Sequence, residues 1–597
     1  MPAIVSNKLR LYNARNFVES FDVESLPGPP STGIYPIVDS KYSNTSVYFF
    51  IGRTHSWASN PDAKSGYSDS NPPPVTLSFS NMEFEPWRSM TSAKKITSSD
   101  VSLMTNRTNW TSGVVYDFYD DQSEAIVNQT SANGYFVYVG TSGDVFLCLD
   151  NNDGAASIDV PTKPDSGFRA NSFVTSDGYR WRYMYSIAPT VSEKFLMTNY
   201  IPVRSLTQTE LNTDTAPTGW DSLIEPQRDA LAGSLETIII EPGKGGSLYR
   251  GLTGTLVDGG FDAARTEFEL SSATTYSTGE LNGAMARFSN SSFSAVRRIT
   301  SGPTASLGTN VIVDTAVTGL ETATTISVTI GPEVVIEGDG TGAIAYAELN
   351  TGATSLRRIA IDTPGSGYST VNATVNGVPA GSGAQIRAIV PPQGGYGSDP
   401  VHELGGYYGG VAVTLDGRGT ANNLPLGSAQ YRQLGLMRNP TINTGAYVAN
   451  GAAYRQMTKL TMNVKSGGTY TTYSPARGDT IVGLSSGARA LVVDYDQDYA
   501  GGESYNKALR IVNLTTNSIG GGFMGVTQGP ASEIIAKIDT AGNPSTSSDE
   551  KLQISEDIEI GQPELLKNSG EIFYVENRRP ITRTIDQQED FKIIIEF

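Results

Sequence analysis

One phrase recurs along this chain: Gly340-Thr-Gly-Ala-Ile-Ala345, Gly381-Ser-Gly-Ala-Gln-Ile386 and Ser485-Ser-Gly-Ala-Arg-Ala490, each running into a short apolar stretch. A second phrase, Ile359-Ala-Ile-Asp-Thr-Pro-Gly-Ser-Gly-Tyr368, resembles Ile238-Ile-Ile-Glu-Pro-Gly-Lys-Gly245. Gly-Xaa-Gly between short apolar runs supplies the positive-φ turns that compact antiparallel modules require. Segments built this way are driven toward many short strands. The two stretches that hold the phrases, 243–409 and 447–550, are rich in Gly, Thr, Ser and Val and read as small all-β domains grown from loops, which tolerate long additions.

The remainder alternates in other ways. Leu9, Tyr12, Phe17 and Phe21 stand near helical spacing, and Leu26-Pro-Gly-Pro-Pro30 breaks any regular element after them. Val47 to Ile51 reads as a buried strand, and Glu85 to Ile96 as a helix with Trp87, Met90 and Lys94 on one side. Gly134 to Val139 and Asp144 to Leu149, joined through Gly140-Thr-Ser-Gly143, give a hairpin signal. Tyr179, Trp181, Tyr183 and Tyr185 alternate onto one face of a further strand. At the end, Ile572, Tyr574 and Glu576 alternate with Phe573, Val575 and Asn577 until Arg578-Arg579-Pro580, where the missing proline amide is expected to stop the strand. Phe591 to Phe597 is a last apolar run, expected to be tied into a sheet.

The run Ser569 to Ile581, followed by Asp586-Gln587 and the hydrophobic end, resembles the C-terminus of the gene-8 baseplate wedge proteins of T4-like contractile-tailed bacteriophages. Further segments are similar in matching order: Ala3-Ile-Val-Ser with Asn16-Phe17, Phe50-Ile-Gly-Arg53 with Trp57-Ala-Ser-Asn60, Cys148-Leu-Asp150, Asp177-Gly-Tyr-Arg-Trp181, Thr198 to Ile201, and the island Tyr431 to Pro440. Their collinearity implies one framework interrupted by insertions. The expected fold is a β-rich α+β, multidomain, discontinuous wedge-protein framework of mixed sheets with few helices. Its parts are 1–242, the island 410–446 and 551–597, with the insertions 243–409 and 447–550 between them. The resemblance implies a homodimer that contacts other baseplate wedge subunits, and accessory tail-fibre proteins are further candidate partners. It also implies a place in the virion tail baseplate after assembly in the bacterial host cytoplasm.

Composition bounds the alternatives. A net charge of -18 disfavours a phosphate-backbone partner, and the basic pairs Lys94-Lys95, Arg357-Arg358 and Arg578-Arg579 are isolated. The one cysteine, Cys148, forms no intramolecular disulfide, and no apolar run approaches the roughly 18 residues of a membrane span. The chain is therefore expected to be soluble, without nucleic acid or membrane insertion.

Catalytic chemistry finds little material. Of the two histidines, His55 lies in a loop beside Trp57, and His402-Glu403 has no second histidine or cysteine nearby for a metal site. Asp120-Asp121, Glu556-Asp557 and Glu589-Asp590 are carboxylate pairs of the kind a glycosidase uses, although such pairs are usually solvated surface. They keep open the alternative of a tail-associated carbohydrate-binding or glycan-hydrolysing protein. Asp494, Asp496 and Asp498 are spaced like the opening of a calcium loop, but Tyr499 stands where the loop needs glycine. Gly338-Asp-Gly-Thr-Gly342 lacks the Lys-Ser/Thr of a P-loop. The expectation is a structural protein with no enzyme activity and no cofactor. Its candidate interface residues are Arg53, Trp57, Arg578 and Arg579, because Trp and Arg dominate protein contacts. Trp57 is equally suited to a core.

Overall fold

A computed structural model of the chain describes residues 7–21, 46–58, 66–76, 78, 80–123, 126, 132–271, 276–290, 293–303, 310–318, 325–350, 354–377, 380–416, 430–443, 448–464, 470, 472–496, 507–515, 533–582 and 587–597. The proline-rich break at 26–30 and Asp498 lie outside them. Strands predominate, arranged in several separate sheets and two closed barrels, so the chain is a multidomain β-rich protein with few helices. It divides into two discontinuous units, one of Met1–Ala14, Ser102–Gly409 and Ile595–Phe597, the other of Arg15–Val101 and Gly410–Ile594.

In the first unit the expected hairpin forms, Phe136–Val139 against Asp144–Asp150, and Arg180–Ser186 extends the sheet on the far side. The aromatic alternation is only partly on one face. Tyr179, Trp181 and Tyr183 join Tyr116, Phe146 and Cys148 in one core. Val145 and Phe146 of the paired strand face Tyr185 and Tyr183, so Met184 is bulged and Tyr185 turns elsewhere; its ring meets Trp220 and its hydroxyl donates to the Pro202 carbonyl at 2.8 Å. Period-two counting fails wherever the ladder inserts a residue.

The repeated phrases fold as repeats. Thr341–Leu349 pairs with Leu356–Ser366, and Ser382–Ala388 pairs with Ile238–Ser247; the two hairpin-like pairs meet through Ile359 and Ile238 in one four-stranded sheet. Each copy seats a tyrosine ring on a glycine. A Cβ on Gly340 would come within 2.5 Å of the Tyr368 ring, and one on Gly381 within 2.4 Å of the Tyr249 ring. Only hydrogen leaves room for those rings. The third phrase, 485–490, has another fate: it makes the turn between Thr480–Gly483 and Arg489–Asp496.

That turn belongs to the second of two six-stranded barrels. The first barrel runs from Leu252–Phe261 to Ser327–Gly331 around Phe268, Phe288, Ile299 and Val328; the second runs from Thr458–Val464 to Lys551–Gly561 around Leu460, Val492, Ile511 and Ile535. Numbered along the chain, the first ring is 1-2-5-4-3-6 and the second 1-4-3-2-5-6. Renaming strand 1 of the first as strand 6, and lowering the others by one, converts one ring into the other. The barrels therefore share one topology, opened at a different connection. The second closes with a strand beyond residue 550, the boundary expected for the insertion.

In the second unit a five-stranded sheet gathers distant segments in the order Ala453–Arg455, Met90–Ile96, Val47–Gly52, Gln430–Arg438, Glu571–Thr582. Its core holds Tyr48, Phe50, Trp87, Met90, Met437 and Ile572. Three sequence expectations are corrected here and at the chain's start. The helix read over 85–96 is only Glu85–Ser89; Met90 turns extended and Met90–Ile96 pairs with Val47–Gly52, because a one-turn helix is too short to resist strand pairing. The helix Asn7–Glu19 forms, but Leu9 and Tyr12 are exposed while Leu11 and Ala14 are buried. The Glu571–Thr582 strand does not stop at Pro580. Gln433 faces Asn577 and Tyr431 faces Ile581, so residues 578–580 bulge out of the ladder, where proline loses no pairing.

Candidate interface at the closing strands

The bulge organises the site. Gly52 ends its strand at a register shift, where a Cβ would sit 2.8 Å from the Ser89 carbonyl oxygen, and Arg53 takes φ 55. This reversal carries the next residues back over the strand. Trp57 is fully buried, its indole Nε1 donating to the Arg578 carbonyl at 2.9 Å, and the Arg53 guanidinium lies 4.0 Å from the centre of its ring. The bulged carbonyl, outside the paired register, accepts from an aromatic donor.

Asp69 ties the loop down. Its carboxylate accepts from the Trp57 amide at 3.0 Å, from the Ser56 hydroxyl at 2.9 Å and from two guanidinium nitrogens of Arg432 at 2.9 and 2.8 Å. The Arg432 hydrogen bonds hold the Asp69 carboxyl down at about 2. His55 lies in the same interior; burial, with the Arg53 and Arg432 charges, pushes it down to about 3, so it is neutral at pH 7. Arg53, Trp57 and the Arg578 backbone thus meet, with Arg53 2 % exposed. The Arg578 side chain turns outward to Glu576 at 3.0 Å, and Arg579 is exposed.

Beside the bulge lies a cleft of about 650 Å³, bordered by Tyr431, Leu434, Tyr574, Ile581, Gln587 and residues 589–594. Phe591 packs on Phe49 and Tyr431 with ring centres 5.0 and 6.1 Å apart. Tyr431 donates to Glu589 at 3.1 Å, Tyr574 to Glu576 at 2.9 Å, and Thr414 to Asp590 at 2.6 Å. Burial, then the Glu576 charge, raises the Tyr574 phenol above its ordinary range. The alternation of Tyr574 and Glu576 was visible in the sequence. Asp69 and Arg432 were not, since nothing local in Ser68-Asp69-Ser70 signals a partner more than 360 residues away.

Several of the other candidate groups are drawn into internal pairs, while the Glu556 and Asp557 side chains lie outside the described residues. Asp120 and Asp121 both meet Arg387, at 2.8 and 3.4 Å. Asp494 takes Arg510 at 2.8 Å and Arg477 at 3.8 Å. Glu403, in the turn Pro400–Glu403, points inward and accepts from the Gly397 and Asp399 amides at 2.7 and 2.9 Å; burial raises it to about 7. His402 beside it is exposed, so the two side chains diverge.

Taken together, the folds and pairings define a multidomain β-rich protein whose last two strands border an open cleft. The family model Phage-Gp8, described as Bacteriophage T4, Gp8, matches residues 520–597, a segment that includes the bulge and the 589–594 border of the cleft. That family is a structural component of the virion tail baseplate, and the match supports a baseplate wedge protein, in agreement with the resemblance drawn from the closing run. No curated protein matches the chain.

Proposed function

We propose that the chain is a structural, non-enzymatic subunit of the baseplate wedge of a contractile phage tail, a homodimer that links neighbouring wedge proteins during assembly and contraction. The observation that carries this reading is the family match over 520–597, which includes the strand Glu571–Thr582 at the end of the five-stranded sheet. The internal pairing of Asp120, Asp121, Glu589 and Asp590 supports a structural use of those carboxylates. Regions 243–409 and 447–550 are insertions in this reading and carry outward-facing modules. An assembly protein acts through large complementary surfaces, and a two-fold dimer presents each of its patches twice. Phage particles produced without the chain should lack complete tails, and supplying the chain in trans should restore them. Normal tails without it would contradict the reading.

A further inference from the structure

The two barrels agree beyond the order of their strands. Around the first, Phe268 faces Val311, two residues on Val313 faces Ile299, four residues back Ala295 faces Phe288, and Phe288 faces Val328 on its other side. Around the second, the same walk runs from Leu460 to Leu509, from Ile511 to Val492, from Ala488 to Gly483 and on to Ile535. No step differs by a residue. Gly483 apart, every one of these positions is a buried core residue of its barrel. Burial demands only that inward side chains recur at alternate positions, so a slip by any even number of residues would fill a core equally well. Agreement across successive seams is more than two closed barrels require.

The hairpins inside the barrels begin alike. The Gly283 amide donates to the Ile299 carbonyl and the Ile299 amide returns to the Ala284 carbonyl, both at 2.8 Å. In the second barrel Gly478 donates to Val492 and Val492 returns to Asp479, both at 2.9 Å. Both glycines stand at φ +88, which favours the residue without a Cβ. The barrels also open at adjacent strands. Leu252 faces Ile330, so the chain leaves the first barrel beside the point where it entered. In the second, the strand that corresponds to Leu252–Phe261 is Lys551–Gly561; it comes last, with Lys551 facing Ala536 and Gly561 facing Lys459. A ring whose ends are neighbours can be cut at another connection without changing its packing.

We propose that residues 252–331 are a second copy of the module formed by 458–561, with its last strand moved to the front, held as a self-contained insertion between Gly251 and Pro332. Contacts from the first barrel to the residues that follow it include Arg298 with Glu333 at 2.7 Å and Arg287 over the Tyr346 ring at 4.9 Å. Arg298 is exposed, and an ion pair of that kind contributes little to stability. The fold outside the module therefore does not depend on it. This holds whichever assembly the chain serves.

Two variants of the full chain test it by hydrogen exchange with mass spectrometry. In one, 252–331 is replaced by a short Gly-Ser linker; in the other, by residues 551–561 joined through such a linker to 458–537. In the deletion, peptides from Ile238–Ser247 and Leu356–Ser366 should exchange within about threefold of their native rates. In the transplant, peptides from Arg489–Asp496 occur twice and should give one slow population. Two equal populations, one exchanging as unfolded chain, would show that the second barrel cannot take the place of the first and would overturn the proposal. Loss of protection in the flanking strands of the deletion would overturn the self-contained insertion, and a chain that loses protection throughout in either variant would overturn it as well.

Discussion

The indole Nε1 of Trp57 donates to the carbonyl oxygen of Arg578 across 521 residues of sequence, at 2.9 Å. The contact fixes a loop near the start of the chain onto a bulge near its end, and that bulge lets Pro580 stand within a strand. Trp57→Phe keeps most of the buried ring and removes the donor, leaving the Arg578 carbonyl without it. The expected loss is about 1–2 kcal/mol in urea unfolding. Trp57→Ala also opens a cavity and should cost about 3–5 kcal/mol. Equal effects of the two variants would show that the hydrogen bond contributes nothing.

Asp69 gathers an amide, a hydroxyl and a guanidinium on one carboxylate. Asp69→Asn should destabilise by roughly 2–3 kcal/mol at pH 7, because the Arg432 partner is nearly buried and loses a charged acceptor. The pH dependence has a definite sign. The folded carboxyl, at about 2, lies below its ordinary 3.8, so its contribution is complete above about 4 and is lost as pH falls toward 2. Asp69→Asn should flatten the acid limb of the stability curve in that window; an unchanged limb would contradict the assignment.

Glu403 behaves in the opposite sense. Burial raises its carboxyl from 4.5 to about 7, so the folded state holds this proton more tightly than the unfolded chain does. Its effect on stability is therefore most favourable below about pH 4.5 and declines as pH rises to about 7, by roughly 1–3 kcal/mol. Thermal unfolding between pH 4.5 and 7.5 should show that decline in the native chain and lose it in Glu403→Gln.

The two copies of the repeated phrase make a matched pair of predictions. Gly340→Ala and Gly381→Ala each push a methyl group into a tyrosine ring, Tyr368 or Tyr249, and each should cost about 1–3 kcal/mol. Gly381 stands at φ +114 and should suffer the larger loss. Tyr249→Ala should remove most of the steric part of the Gly381→Ala effect, which a double-mutant cycle reads directly.

Sequence reasoning reached the elements whose cause is local. Glycine phrases marked the β modules, and the period-two run at 572–577 marked the strand that completes the sheet, because both signals lie within a few residues. It failed where a distant partner decides. Met90 to Ile96 became a strand through pairing with Val47–Gly52, Tyr185 left its face through a bulge at Met184 in its pairing with Asp144–Asp150, and Leu9 and Tyr12 are exposed although their spacing suits a buried face. Trp57, Arg53 and Arg578 stood out as residue types, but the burial of Trp57 and Arg53, the Asp69 to Arg432 pairing and the cleft bordered by 589–594 exist only once the sheets are assembled.

The central claim is a place in the tail baseplate, and immunogold electron microscopy of purified phage particles tests it most directly. With antibody to residues 243–409, gold at the baseplate is the predicted result and would also show that this region faces outward. Gold on the capsid or the sheath, or none even on disrupted particles, would contradict the account.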